Sequence, residues 1–449
     1  MYIEEIKIKN LRVFAEASAT FQYPGRKCTK DERAVAIPNL NLILGNNGAG
    51  KSSLLKAIGL SAIGPLAMKF TPFMLVRKNK KSAARSSAVP AHMAEAELIG
   101  QCTWQDHART KPDAKLTRAE WKTSVIREGD GESVNFSPVQ ASNVAESLRI
   151  RWELVHQNDC PAFLAVGYGS TRRVDTDPSA ATPNSKLRSI PLRHQRIQSL
   201  FSDGYPLIWL GHWLPVLKSK NPGRFSQVCT LLNEVLPDDI EFTAKTDKSE
   251  EYLFSQNGAL VPFAALSDGC RAFVGWVADM LYHICFGCPK GVKLVDNCGI
   301  VLVDEIDLHL HPEWQKTVLP KLAATFPKLQ FIVTTHSPIV VGTLQRENIW
   351  VCEPAPDGNG SVLVQKDIGV NGLSADQILL TPYFGLESSR APEKQERLKV
   401  IAAAAERKVP GQAGAFLKSL VTAMEDEATP PPAAPVARAV KPATRRKKK

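Results

Sequence analysis

The sequence predicts an α/β fold with a mixed, mostly parallel core sheet, and three runs of residues predict it. Asn41–Leu44 is a short, mostly apolar strand that runs straight into Gly45-Asn46-Asn47-Gly48-Ala49-Gly50-Lys51-Ser52 and then a helix-forming stretch to Leu60. Gly299–Val303 is a near-continuous aliphatic run closed by Asp304 and Glu305. Leu329–Val333 is a third strand, ending in Thr334-Thr335-His336-Ser337-Pro338. Short apolar runs without alternation mark strands buried on both faces, as parallel strands are. Ligands of α/β sheets collect at the carboxyl ends of such strands.

The first run fits the phosphate-loop template G-x-x-x-x-G-K-[ST] at every fixed position, between a strand and a helix as the motif requires. Gly45, Gly48 and Gly50 let the backbone approach an anion and adopt dihedrals closed to other residues. The loop amides and the positive helix end then hold phosphate. The expected nucleotide-binding run is Gly45, Asn46, Asn47, Gly48, Ala49, Gly50, Lys51, Ser52 and Ser53. Lys51 would reach the β- and γ-phosphates, and the Ser52 hydroxyl would sit on Mg2+. Asp304 would hold the same Mg2+, directly or through water, and Glu305 would take a proton from attacking water. His336 ends the next strand about one strand–helix–strand unit later, where it would sense the γ-phosphate.

Between these runs lies Ala265-Leu266-Ser267-Asp268-Gly269-Cys270-Arg271, followed by a helix-forming stretch from Ala272 to Phe286. Ser267 has the character of an N-cap. Gly269 would leave backbone N–H groups open to an anion. In this order the motifs resemble those of the ATP-binding-cassette (ABC) ATPases. In that superfamily a Leu-Ser-Gly-Gly-Gln signature closes on the nucleotide of a second subunit. Leu266, Ser267 and Gly269 match it, whereas Asp268 and Cys270 depart from it. Asp304 and Glu305 match the second nucleotide motif, and His336 matches the switch histidine. Met1–Phe14 resembles the first strands of the RecF, Rad50 and SMC branch. The segments 266–269, 304–312 and 334–338 are similar to bacterial ATP-binding proteins such as the ATPase subunit of Septu-type anti-phage systems and the ATPase half of the OLD nucleases. Gly167-Tyr168-Gly169-Ser170-Thr171-Arg172 resembles a Tyr-Gly-x-x-Arg run of that group, near where other cassette ATPases place a glutamine loop. No glutamine stands there, so the role of the segment is open.

The resemblance implies an ABC-type P-loop ATPase head with a mixed/parallel core sheet, an antiparallel β flank and a helical insertion. It implies ATP and Mg2+ as ligands, and a homodimer or higher homo-oligomer in which Ser267 and Gly269 complete the partner copy's site. The task it implies is control of a separate effector, such as an HNH-type nuclease, in phage defence. A RecF-like DNA-repair ATPase that binds DNA directly is the alternative. A transporter's nucleotide-binding subunit is a third reading, opposed by the RecF-like start and the large insertion.

The 449 residues carry a net charge of +11 and 44% hydrophobic residues, enough for a large core. Seven of the basic residues (Arg438, Lys441, Arg445, Arg446, Lys447, Lys448, Lys449) lie in 430–449 with no acid, leaving +4 elsewhere. That Pro/Ala/Lys-rich tail is expected to be disordered, either gripping nucleic acid or serving solubility. No run of eighteen apolar residues predicts a membrane span, and no signal-peptide pattern opens the chain. Nine scattered cysteines point to reduced thiols and a cytoplasmic protein. Cys285-Phe286-Gly287-Cys288 has metal-ligand spacing but no second close pair, so a helix end and turn is the reading. His309 and His311 are read as helix-start and dimer-contact residues.

The expected organisation is ATPase lobe I with the phosphate loop at 1–70, a β-rich flank and loop insertion at 71–160, and a helical insertion at 161–260. ATPase lobe II follows at 261–390, then a C-terminal helical segment at 391–429 and the basic tail at 430–449. Trp209, Leu210, Trp213 and Leu214 form an apolar stripe read as core. No sustained heptad pattern predicts a long coiled coil. No Asp-x-Asp set for two metals follows His336, so the chain itself is expected not to be a nuclease.

Overall fold

The computed structural model describes residues 1–27, 34–69, 75–77, 90–102, 117–138, 164–174, 193–288, 291–390 and 394–396. Residues 1–386 form one compact unit and residues 387–449 a second. The basic tail and most of the expected C-terminal helical segment lie outside the described residues.

The strands are β1 (Tyr2–Leu11), β2 (Phe14–Thr20), β3 (Leu40–Gly45), β4 (Met93–Cys102), β5 (Thr117–Glu128), β6 (Gly131–Pro138) and β7 (Leu164–Tyr168). They continue as β8 (Ile240–Thr246), β9 (Tyr252–Gln256), β10 (Ala259–Pro262), β11 (Gly299–Val303), β12 (Leu329–Thr334), β13 (Ile349–Pro354) and β14 (Ser361–Val364). Among the described residues eleven of them form one sheet in the order β6-β5-β4-β1-β2-β14-β13-β3-β12-β11-β7. The run β7-β11-β12-β3-β13 is parallel throughout. The run β2-β1-β4-β5-β6 is antiparallel. This is the mixed α/β sheet with an antiparallel flank that the sequence predicts.

The parallel strands alternate their side chains between two cores, because successive residues point to opposite faces. Ile43, Ile300, Leu302 and Ile332 pack under helix α1 (Lys51–Ala62) and the flank. Leu42, Leu44, Val301, Val303, Phe331 and Val333 face the other way. That second face is covered by α2 (Leu210–Lys220), α3 (Pro222–Val235), α4 (Asp268–Gly287) and α5 (Pro312–Thr325). The sheet is therefore buried on both faces, which explains its unbroken apolar runs.

Residues 161–260, expected as a helical insertion, are only partly helical. β7 lies there as a strand of the main sheet, and β8-β9-β10 form a separate antiparallel sheet. Arg193–Leu200 is a 3-10 helix, and a true helix begins only at Leu210. Trp213 and Leu214 are fully buried against Tyr282 and Phe286 of α4, so the apolar stripe is core.

Two side-chain amides bind the flank to the parallel core. Gln330 on β12 accepts from the Ile3 amide at 2.7 Å and donates to the Ile3 carbonyl at 2.7 Å and the Gln22 carbonyl at 2.9 Å. Asn41 on β3 accepts from the Gln22 amide at 2.6 Å and donates to its carbonyl at 2.8 Å. Both side chains are wholly buried. The exposed face of the flank carries both signs of charge in pairs, Lys7 with Glu5 and Glu97, Lys9 with Glu16, and Lys122 with Glu95. Gln330→Leu would leave the Ile3 and Gln22 backbone groups without these partners, and buried polar groups left unpaired are costly. We expect a loss of about 2–4 kcal/mol, read from the urea midpoint of this variant against wild type.

Candidate functional site

Because β3, β11 and β12 are adjacent and parallel, their carboxyl ends lie side by side. The loop after β3, the carboxylates after β11 and the histidine after β12 meet there.

The phosphate loop leads into α1 without a side-chain cap on Gly50. The amides of the first turn are thus left for an outside acceptor. Gly48 has φ +77 with nothing near its missing Cβ, so its backbone conformation alone requires glycine. Gly45 and Gly50 are constrained by packing as well. A Cβ on Gly45 would lie 2.6 Å from the Cys352 carbonyl oxygen, and one on Gly50 would strike Val13 and Phe14. The Lys51 Nζ donates to the carbonyls of Gly45 at 2.8 Å and Asn46 at 3.2 Å, so its charge is held over the loop. Burial lowers its pKa, against the opposing pull of Asp304, Glu305 and Asp307. Asn46, Asn47, Gly48 and Ala49 also line a cavity of about 450 Å³ with Arg12, Arg77 and Cys352. Ser52 is half-buried and Ser53 buried on the first turn of α1.

The second half of the site is organised by Thr334, the last residue of β12. Its hydroxyl donates to Asp304 Oδ1 at 2.6 Å and accepts from the Glu305 amide at 2.7 Å. Glu305 has φ 50, an uncommon conformation for a non-glycine residue. Backbone strain of this kind costs on the order of 1–3 kcal/mol and persists where the surroundings hold it. Here Thr334 holds the amide, and the Arg172 guanidinium donates to the Glu305 carbonyl and, at 2.8 Å, to that of Asp304. Burial lowers the Arg172 pKa to about 10, with Asp304, Asp307 and Glu305 opposing the shift. The guanidinium is therefore still charged at neutral pH. The Asp304 amide donates to the Tyr168 carbonyl at 2.8 Å, so the segment 167–172 flanks the carboxylate backbone.

His336 is half-buried next to this cluster. Its pKa is lowered first by burial and then by the Lys51 charge. Its neighbours are tied to the carboxylate loop and α5. Thr335 donates to Asp307 Oδ1 at 2.5 Å, and Ser337 to Gln315 Oε1 at 2.6 Å.

Ser267 caps α4, accepting from the Cys270 amide at 3.4 Å. With Gly269, His309 and His311 it lines a cavity of about 680 Å³ distinct from the one beside the phosphate loop. A Cβ on Gly269 would stand 2.1 Å from the His309 carbonyl oxygen. The glycine is thus needed within its own chain, whatever it contacts elsewhere. His311 caps α5 through its Nδ1. Cys285 and Cys288 lie at the end of α4, their carbonyls taken up by Arg224. Among the described residues no group of three or more side chains is set to hold a metal without further ligands.

The structure thus gathers Gly45–Ser53, Asp304, Glu305 and His336 at one sheet edge and leaves Ser267 and Gly269 at another cavity. Sequence reasoning passed over Thr334 and Asp307, although both sit within motifs it had singled out. It left Arg172 without a role.

Residues 153–342 match the family described as "AAA domain, putative AbiEii toxin, Type IV TA system", and residues 5–82 match a second AAA domain family. The "Retron Ec83 probable ATPase" of Escherichia coli is 42% identical over 101 residues, 22% of this chain and 19% of its own length. The Septu protein PtuA of Bacillus mycoides is 25% identical over 86% of this chain and 45% of its own length. The chain therefore carries matches to AAA-type domain families and is similar over part of its length to proteins described as probable ATPases. The chain spans less than half the length of these two relatives. Among solved structures, an Smc head bound to the C-winged helix domain of ScpA overlays 82% of this chain and 98% of its own, with 17% identity and a TM-score of 0.45. Among the described residues no helix is long and apolar enough to cross a membrane.

Two measurements bear on this geometry. Both burial and Lys51 disfavour the charged imidazole, so an NMR titration of His336 should give a midpoint below the ordinary 6.5. Its protonation then opposes folding only as the pH falls below about 6.5. Gly269→Ala should lower the unfolding free energy, read from its denaturation midpoint, by about 1–3 kcal/mol, because the added methyl overlaps a backbone oxygen.

Proposed function

We propose that this chain binds and hydrolyses ATP with Mg2+, dimerises around the nucleotide, and uses that cycle to control a separate effector in anti-phage defence. The observation that carries the reading is the meeting of Lys51 and its glycine loop with Asp304, Glu305 and His336 at one sheet edge. The residues fit the ligands. The uncapped first turn of α1 offers amides to phosphate, and Asp304 has one oxygen fixed by Thr334. Mg2+, held by Ser52 Oγ and Asp304, would neutralise charge on the phosphates. Lys51 would exchange its two carbonyl partners for phosphate oxygens. Glu305, its backbone held by Thr334 and Arg172, would accept the proton of the attacking water. Neutral His336 would donate to or accept from the γ-phosphate and its water, and so report their presence.

Ser267 and Gly269 line their own cavity, away from the phosphate loop of the same chain. This supports a role for them in the site of a second copy. The relatives' names support the defence setting. An effector of the HNH nuclease class remains part of this proposal, with the chain's own chemistry limited to ATP.

Glu305→Gln should reduce kcat for ATP by about 10²-fold or more, since it removes a general base. It should still bind nucleotide and should accumulate a dimer by light scattering. Lys51→Ala should lose nucleotide binding. Wild-type turnover by Glu305→Gln would remove the base assignment, and a nucleotide-loaded wild type that stays monomeric would remove the dimer.

A further inference from the structure

Tyr168 belongs to a segment whose role the sequence left open. It touches two parts of the proposed site at once. Its carbonyl accepts the Asp304 amide at 2.8 Å. Its hydroxyl donates to Asp279 Oδ2 at 2.8 Å. Asp279 lies on α4, eleven residues or three helical turns after Asp268. One buried residue therefore spans from the backbone of a candidate Mg2+ ligand to the helix that Ser267 caps.

The surroundings make this joint specific. Asp279 Oδ1 accepts the Ile208 amide at 2.8 Å, and His283 Nε2 lies 3.3 Å from Oδ2. The Tyr168 ring packs on Trp276, with centroids 5.6 Å apart. One turn before Asp279, a Cβ on Gly275 would stand 2.2 Å from Val174, so the same 167–174 segment rests directly on α4. A phenylalanine at 168 and an apolar residue at 279 would fill this volume without burying a carboxylate. Buried charged networks are often no more stabilising than such apolar replacements. The polar link is therefore weakly explained by packing alone.

We infer that Tyr168 and Asp279 are positioning residues that hold α4 in register with the Asp304–Glu305 backbone, so that a displacement of the signature end of α4 is transmitted to the carboxylates of the same chain. This rests on the proposed ATPase reading. A shift of α4 must either carry Tyr168, and with it the Asp304 amide, or break the Tyr168–Asp279 bond.

The test uses the full chain with Mg-ATP, following turnover and amide exchange. In wild type, Mg-ATP should slow exchange in residues 45–53 and alter it in 268–287. Tyr168→Phe should keep the 45–53 protection and an ATP KM within about twofold. It should lose the response in 268–287 and lower kcat by about tenfold or more, as small misplacements near reacting groups do. Asp279→Asn is the second variant, expected to lower kcat in the same sense, and the double variant should be no worse than the more impaired single one. A Tyr168→Phe protein with wild-type kcat, or with the 268–287 response intact, overturns the inference and leaves the ATPase reading standing. A wild type with no protection at 45–53 and no turnover overturns that reading, and the inference with it.

Discussion

The arrangement at the sheet edge depends on one hydroxyl. Thr334 donates to the Asp304 carboxylate and accepts from the Glu305 amide, so a residue of β12 sets the geometry of the two acids that follow β11. That requires β11 and β12 to be neighbours in parallel register, with Val303 opposite Val333. A register slip of one residue would turn the Thr334 hydroxyl to the opposite face of the sheet. The continuous apolar packing on both faces is what prevents the slip. The energetics of the core and the placement of the acids are thus one constraint seen at two scales.

Arg172 supplies the complementary restraint from β7's side. It spends a buried positive charge on the carbonyls of Gly169, Asp304 and Glu305. Such a charge is costly to bury, and its hydrogen bonds together with the nearby Asp304, Asp307 and Glu305 offset the cost. Together, Thr334 and Arg172 grip Glu305 at its amide and its carbonyl. A residue at φ 50 can then keep that conformation while its side chain stays available for chemistry.

Much of this was legible from local sequence. The glycine loop, the carboxylate strand and the histidine strand are short-range patterns, and each forms where its residues predict. Ser267 as a cap is local too. What escaped depends on pairing across long separations. Gln330 meets Ile3, Tyr168 meets Asp279 and Arg172 meets Glu305 only after the sheet has assembled. A polar residue inside an apolar run, such as Gln330, was the available signal, but nothing local names its partner. The helical reading of 161–260 erred for a related reason. β7 is only five residues long, and its strand character comes from pairing with β11.

The join between the two halves of the sheet has a different chemical character from the surface beside it. Gln330 and Asn41 are uncharged amides, buried away from counter-ions, so neither salt nor moderate pH change alters their bonds. The charge pairs on the outer face of the flank are at least partly exposed, and their charges are screened within roughly 10 Å at 0.1 M ionic strength. Solution conditions can therefore tune the charge pairing between β1, β2, β4 and β5 while the seam to the parallel half stays unaffected. Changes in ionic strength thus act on the charge pairs of the flank and reach the amide-bonded seam only weakly.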